Sequence, residues 1–149
     1  MMNKENILIF NFEANKPPVF KEERGKDYIV YGTESPWKNL YPNYLVELYN
    51  TSGKHNSIIN GKTNYISGRG WKVDETVRTL EDKVKLENFI NRPGNDSLFE
   101  LTKKIVKDNE LFGGYALELI VTKDGKGLII NHIDFGDIRV GVEEDTYFY

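Results

Sequence analysis

The chain has 149 residues with 20 basic against 23 acidic side chains, a net charge of -3, and a hydrophobic fraction of 39%. That is enough for one globular domain and too apolar for a disordered segment. It lacks the basic surplus of a protein held to nucleic acid by phosphate contacts. Cysteine is absent, which excludes a disulfide framework, a thiol nucleophile and a Cys-based zinc site.

The first residues hold only a four-residue apolar run (Ile7–Phe10), too short for a signal peptide or a membrane span. An intracellular or virion-type location fits this start. Asn6–Phe12 reads as a short strand, and Ala14–Arg24, with Pro17-Pro18, as a loop or extended arm. Tyr28–Tyr31 reads as a second strand ended by Gly32. Residues 1–35 are therefore assigned to an N-terminal arm and 36–149 to the main α+β region.

Pro42 suits the first turn of a helix. From Tyr41 the large residues recur at helical spacing through Tyr44, Leu45, Leu48 and Tyr49, and the stripe continues through Ser52, His55, Ile59, Lys62 and Ile66. The pattern predicts one long helix over Pro42–Ser67, stopped by Gly68 and Gly70. Gly53 is its weak point, since an interior glycine costs about 1 kcal/mol. Ile58, Gly61 and Tyr65 form a second, weaker face. A glycine between two large residues accommodates either another element of the chain or a neighbouring subunit. Leu80–Asn91 predicts a second helix, and Leu98, Leu101, Ile105 and Val106 mark the buried side of a third, capped by Asp96 or Ser97. Tyr115–Thr122 and Leu128–Ile133 flank K-D-G-K-G, a hairpin signal, and Ile138–Val142 predicts a last strand. The fold class is α+β, with one long helix, two shorter ones and a small, mostly antiparallel sheet.

Several motifs imitate chemistry. I-N-G-K-T-N at 59–64 carries the tail of a phosphate-binding loop, but the required first glycine is replaced by Asn56. For Gly53-Lys54 it is replaced by Leu48, and His55 stands where a hydroxyl belongs. H-I-D-F-G at 132–136 matches the metal-binding Asp motif of lipid-kinase-like phosphotransferases. The preceding strand, however, supplies no catalytic Asp or metal-binding Asn. Asp134 then reads as a turn residue before Gly136. His55 and His132 lie in different elements with no companion ligands, and Glu143-Glu144-Asp145 reads as a solvated strand end. No metal, cofactor or catalytic residue is assigned.

Taken together, Y-I-V-Y-G at 28–32, N-L-Y-P-N-Y-L-V-E-L-Y-N-T-S-G-K-H-N-S-I-I-N-G-K-T-N-Y-I-S-G-R-G-W at 39–71, D-N-E-L-F-G-G-Y-A-L-E-L-I and H-I-D-F-G-D-I-R-V-G resemble tailed-phage portal proteins. The form is similar to the N-terminal, wing region of portals from phages and prophages of Bacteroidetes-type hosts, and it covers about residues 28–142. The resemblance implies a structural component of a dodecameric ring at the capsid vertex, with no catalytic residues of its own. It implies terminase, capsid and head–tail connector proteins as partners, double-stranded DNA passing through the channel, and no membrane. Its implied location is the virion, with the host cytoplasm during assembly. A portal's stem, clip and crown cannot be fitted after residue 142, so the chain is expected to be a piece of the outer wing. Ile58, Gly61 and Tyr65 are the candidate subunit interface. Arg69, Lys72 and Arg139 are the candidate contacts for DNA or partners, with ordinary solvated charge as the plainer reading of each. The alternatives are a phosphotransferase using Asp134 and a generic protein-binding module docking through its Tyr-rich helix.

Overall fold

The structure, a computed structural model, describes residues 21–33, 35–76, 79–91, 96–123, 125, 127–143 and 146–149. The predicted strand Asn6–Phe12 lies outside them. The described residues form an α+β fold of four helices and three two-stranded antiparallel sheets.

β1 (Glu22–Arg24) pairs with β2 (Ile29–Tyr31), so the end of the predicted loop at Ala14–Arg24 is a strand instead. α1 spans Tyr41–Thr51, with Pro42 buried in its first turn. The predicted single long helix is divided: α2 runs over Gly53–Ser67, and Ser52 between them is extended (φ -94°, ψ 102°). The break has a local cause. Residues 50–57 (N-T-S-G-K-H-N-S) offer no apolar anchor, and their Asn, Ser and Thr side chains compete for backbone partners. Ser52 starts the new helix by accepting from the His55 N–H at 3.3 Å. The elbow is braced across its inside, where the Tyr49 hydroxyl donates to Asn60 Oδ1 at 2.8 Å and Asn56 Nδ2 donates to the Tyr49 carbonyl at 3.2 Å. Gly68, at φ 61°, caps the end of α2.

α3 (Leu80–Asn91) matches its predicted bounds but buries no residue. α4 (Leu98–Phe112) opens on a capping box in which Ser97 Oγ accepts from Glu100 N and Glu100 Oε2 accepts from Ser97 N. Gly113, at φ 79°, closes it. β3 (Ala116–Val121) and β4 (Leu128–Ile133) form the expected hairpin, in register from Ala116↔Ile133 to Val121↔Leu128. A 3-10 turn at Phe135–Asp137 leads into β5 (Arg139–Val140), which pairs with β6 (Tyr147–Phe148). The expected single sheet is thus three separate ribbons.

The helices pack through one thin seam. Ile59 and Thr63 of α2 are buried against α4, whose Leu101 is buried in turn, and Ile138 is buried beyond them. The first and last ribbons are tied together. Tyr28 bridges to Gly141, Val142 N–H donates to the Asp27 carbonyl, and Arg24 Nη2 donates to the Val142 carbonyl at 3.0 Å. The described part of the arm is therefore attached to the C-terminal strands.

Candidate functional site

α2 presents two opposite faces. At about 100° per residue, Ile58, Gly61 and Tyr65 fall within about 60° of one another, on the far side from Ile59 and Thr63. Ile58 is 52% and Tyr65 89% exposed. A Cβ built on Gly61 meets no atom within 4 Å. No described element therefore comes within 4 Å of a Cβ at Gly61, so among the described residues that face has no internal occupant.

The phosphate-loop imitations resolve into helix. Gly61-Lys62-Thr63 lies in mid-α2, where Lys62 Nζ pairs with Glu110 of α4 and Thr63 is buried. Gly53-Lys54 opens α2 rather than lying inside a continuous helix, behind the Ser52 cap.

The polar cluster of the molecule lies where β4 meets α4. Asp108 is buried, and its Oδ2 is 2.8 Å from His132 Nε2. Burial raises the Asp108 pKa above the ordinary carboxylate value, and the nearby Asp134 charge adds to this. The hydrogen bond and charge of His132 and the backbone at Phe135 act the other way. Around the pair is a concavity of about 220 Å³, floored by Val46, Leu111 and Phe112. Lys104 stands at its edge, paired to Asp96, and Lys107 Nζ sits 4.4 Å from the centre of the Tyr49 ring. The described lining residues include no Ser, Thr or Cys that His132 could activate. The pair is suited to holding the hairpin on the helical layer. Sequence reasoning left His132 without a partner. The available signal was Asp108 itself, seven residues after Leu101 on the buried face of α4.

Asp134 caps the 3-10 turn, its Oδ1 accepting from the Gly136 N–H at 2.9 Å, which is the turn role read from its sequence position. Phe135 of the same motif packs 5.8 Å from the Phe112 ring, and Gly114 leaves room for it, since a Cβ there would lie 2.9 Å from Phe135 Cζ. Among the described residues no group of three or more His, Cys, Asp or Glu is arranged to hold a metal. No described helix is long and apolar enough to cross a membrane.

No family model, curated protein or solved structure matches this chain.

Arg69 and Lys72 are exposed on the segment after α2. Arg139 is placed differently from the contact role expected of it, because its guanidinium is engaged inside the fold. Nε donates to Asn39 Oδ1 at 2.9 Å, Nη2 to the Asn39 carbonyl at 2.6 Å, and Nη1 to the Gly136 and Ile138 carbonyls at 2.8 Å each. The Tyr31 ring lies beneath it at 5.6 Å, and burial lowers the Arg139 pKa. Asn39 completes the clamp by accepting from the Tyr31 N–H through the same Oδ1, at a backbone φ of 56°. Glu143 is exposed, as a solvated strand end should be, and Glu144 and Asp145 lie outside the described residues.

Proposed function

We propose that this chain is a structural component of a tailed-phage portal ring, the vertex assembly through which double-stranded DNA is packaged and ejected. The observation that carries this reading is how little apolar surface is covered among the described residues. Besides Pro42, the buried apolar side chains among the described residues are Ile59, Leu101 and Ile138, while Ile58, Tyr65, Trp71, Leu80, Leu119 and Val121 are all more than half exposed. Apolar side chains left this exposed favour a subunit whose partners cover them. The portal-like sequence pattern over residues 28–142 supplies the kind of assembly. A net charge of -3 suits a conduit, because a wall that gripped phosphates would hold the DNA. In this reading terminase and connector proteins dock on the completed ring, and Arg69 and Lys72 are exposed cations available to them or to DNA.

The test is to express the complete natural reading frame and image it by electron microscopy. Rings with a central channel are expected. A monodisperse monomer, encoded away from any terminase or capsid gene, would overturn the reading.

A further inference from the structure

We propose that the back of α2 docks on α3 of a second copy of this chain, in an antiparallel register set by Lys54 and Glu87. The inference rests on the assembly reading above and adds to it the surfaces that meet.

α3 requires a partner. A 12-residue helix without tertiary cover is marginal in water, yet α3 buries none of its residues. Ile90 is its one side chain that is not exposed, and it marks the side resting near α4. Leu80, Val84 and Glu87 lie within about 60° of one another; Leu80 and Val84 are about 80° and 120° round the helix from Ile90, Glu87 lies between, about 60° from it, and Leu80 is 79% exposed. The back of α2 is the matching surface. It carries Lys54, Ile58, Gly61 and Tyr65, all exposed, and the space over Gly61 is open.

The two faces agree in charge and spacing. Lys62 of α2 is engaged by Glu110, and Glu81 and Asp82 of α3 by Lys85 and Thr79, so the charges the two faces offer each other are Lys54 and Glu87. Lys54 and Glu87 have no ion pair among the described residues. Lys54 to Gly61 and Glu87 to Leu80 are both steps of seven residues, about 10.5 Å along a helix. With the helices antiparallel, Glu87 meets Lys54, Val84 lies beside Ile58, and Leu80 enters the hollow at Gly61 under the Tyr65 ring. The contact joins unlike surfaces, so each copy offers one of each. Successive copies then close into a ring or extend as a filament.

Two surface substitutions test this without touching the core. Gly61→Arg blocks the hollow, and Leu80→Glu spoils the knob. Native mass spectrometry of the 149-residue chain is expected to show assemblies larger than dimers for the unmodified protein and monomers for each variant alone. A one-to-one mixture of the variants is expected to give heterodimers and nothing larger, since the mixture retains one intact α2 back and one intact α3. Glu87→Lys is expected to weaken assembly about fivefold, the scale of one exposed ion pair, and Lys54→Glu in the same chain to restore it. If either variant assembles like the unmodified chain, or the mixture stays monomeric, the contact is wrong. Rings from the complete reading frame carrying Gly61→Arg would overturn this contact and leave the portal reading standing. An unmodified reading frame that remains monomeric would remove both.

Discussion

Arg139 and Asn39 lie 100 residues apart and hold the first and last ribbons together. Arg139→Ala removes four hydrogen bonds from a cationic donor. Those to Gly136 and Ile138 are local, and water can replace them at this half-buried site. Those to Asn39 Oδ1 and the Asn39 carbonyl are long-range and join separate elements. At about 1–1.5 kcal/mol net for each long-range bond, the substitution should cost about 2–3 kcal/mol. Asn39→Gly removes the Oδ1 acceptor, leaves the Asn39 carbonyl in place and keeps a residue at ease at φ 56°. It also strips the Tyr31 N–H of its acceptor. The assay is urea unfolding of both single variants and the double variant, with amide hydrogen exchange at Tyr31 as the local readout. The double-mutant cycle should return a coupling of about 1–1.5 kcal/mol, the single Nε to Oδ1 bond that both changes remove. Arg139→Lys should recover less than half of the loss, because an ammonium cannot reproduce the fork that spans both Asn39 oxygens. A loss below about 0.5 kcal/mol, with unchanged exchange at Tyr31, would mean that water replaces the guanidinium at no cost, and the clamp argument would fail.

Gly61→Ala should stabilise the isolated chain by up to about 1 kcal/mol, since it adds helix propensity where a Cβ meets nothing, and the same change should weaken self-association. Thermal melting and sedimentation measured on one sample separate the two effects, and a destabilised monomer would show that something of this chain does pack there. Asp108 has a folded-state pKa above its unfolded value, so between those two values the folded state holds more protons and stability falls as pH rises. Asp108→Asn keeps an acceptor for His132 and removes this dependence. Urea midpoints of the two proteins should diverge as pH drops from the raised value toward the ordinary carboxylate range, the unmodified protein gaining relative to the variant. Parallel curves would show that burial of the Asp108 carboxylate is not felt.

The sequence was most readable where local signals agreed. α3 ends where its pattern ends at Asn91. α4 begins at its Ser97 capping box, and the hairpin follows from K-D-G-K-G between two apolar runs. It misled at Ser52, because periodicity continues through the elbow: Ile59 prolongs the stripe of Leu45 and Leu48 in projection while the axis turns. Only the tertiary positions of α4 and the 3-10 turn decide whether the axis runs straight. β1 was hidden for a similar reason. Glu22, Glu23 and Arg24 carry no apolar alternation, and they are extended because β2 supplies their partners. Of the candidate residues, the grouping of Ile58, Gly61 and Tyr65 was legible from helical spacing. The engagement of Arg139 with Asn39 and of His132 with Asp108 was not, since both join elements far apart in the chain.

The joining of residues 21–31 to residues 139–142 also bears on how the protein is made. At a synthesis rate of about 5–20 residues per second, Asn39 waits about 5–20 s on the ribosome before Arg139 exists. During that interval β1 and β2 are a lone two-stranded ribbon, which is marginal in water and exposes an open edge. Closing a loop of this length costs more entropy than any helix pairing in the chain, so α2 and α4 can join well before the strands at the start. β1 and β2 are thus made early and secured late, and a nascent chain stalled before residue 139 would display that edge to any chaperone or aggregating neighbour.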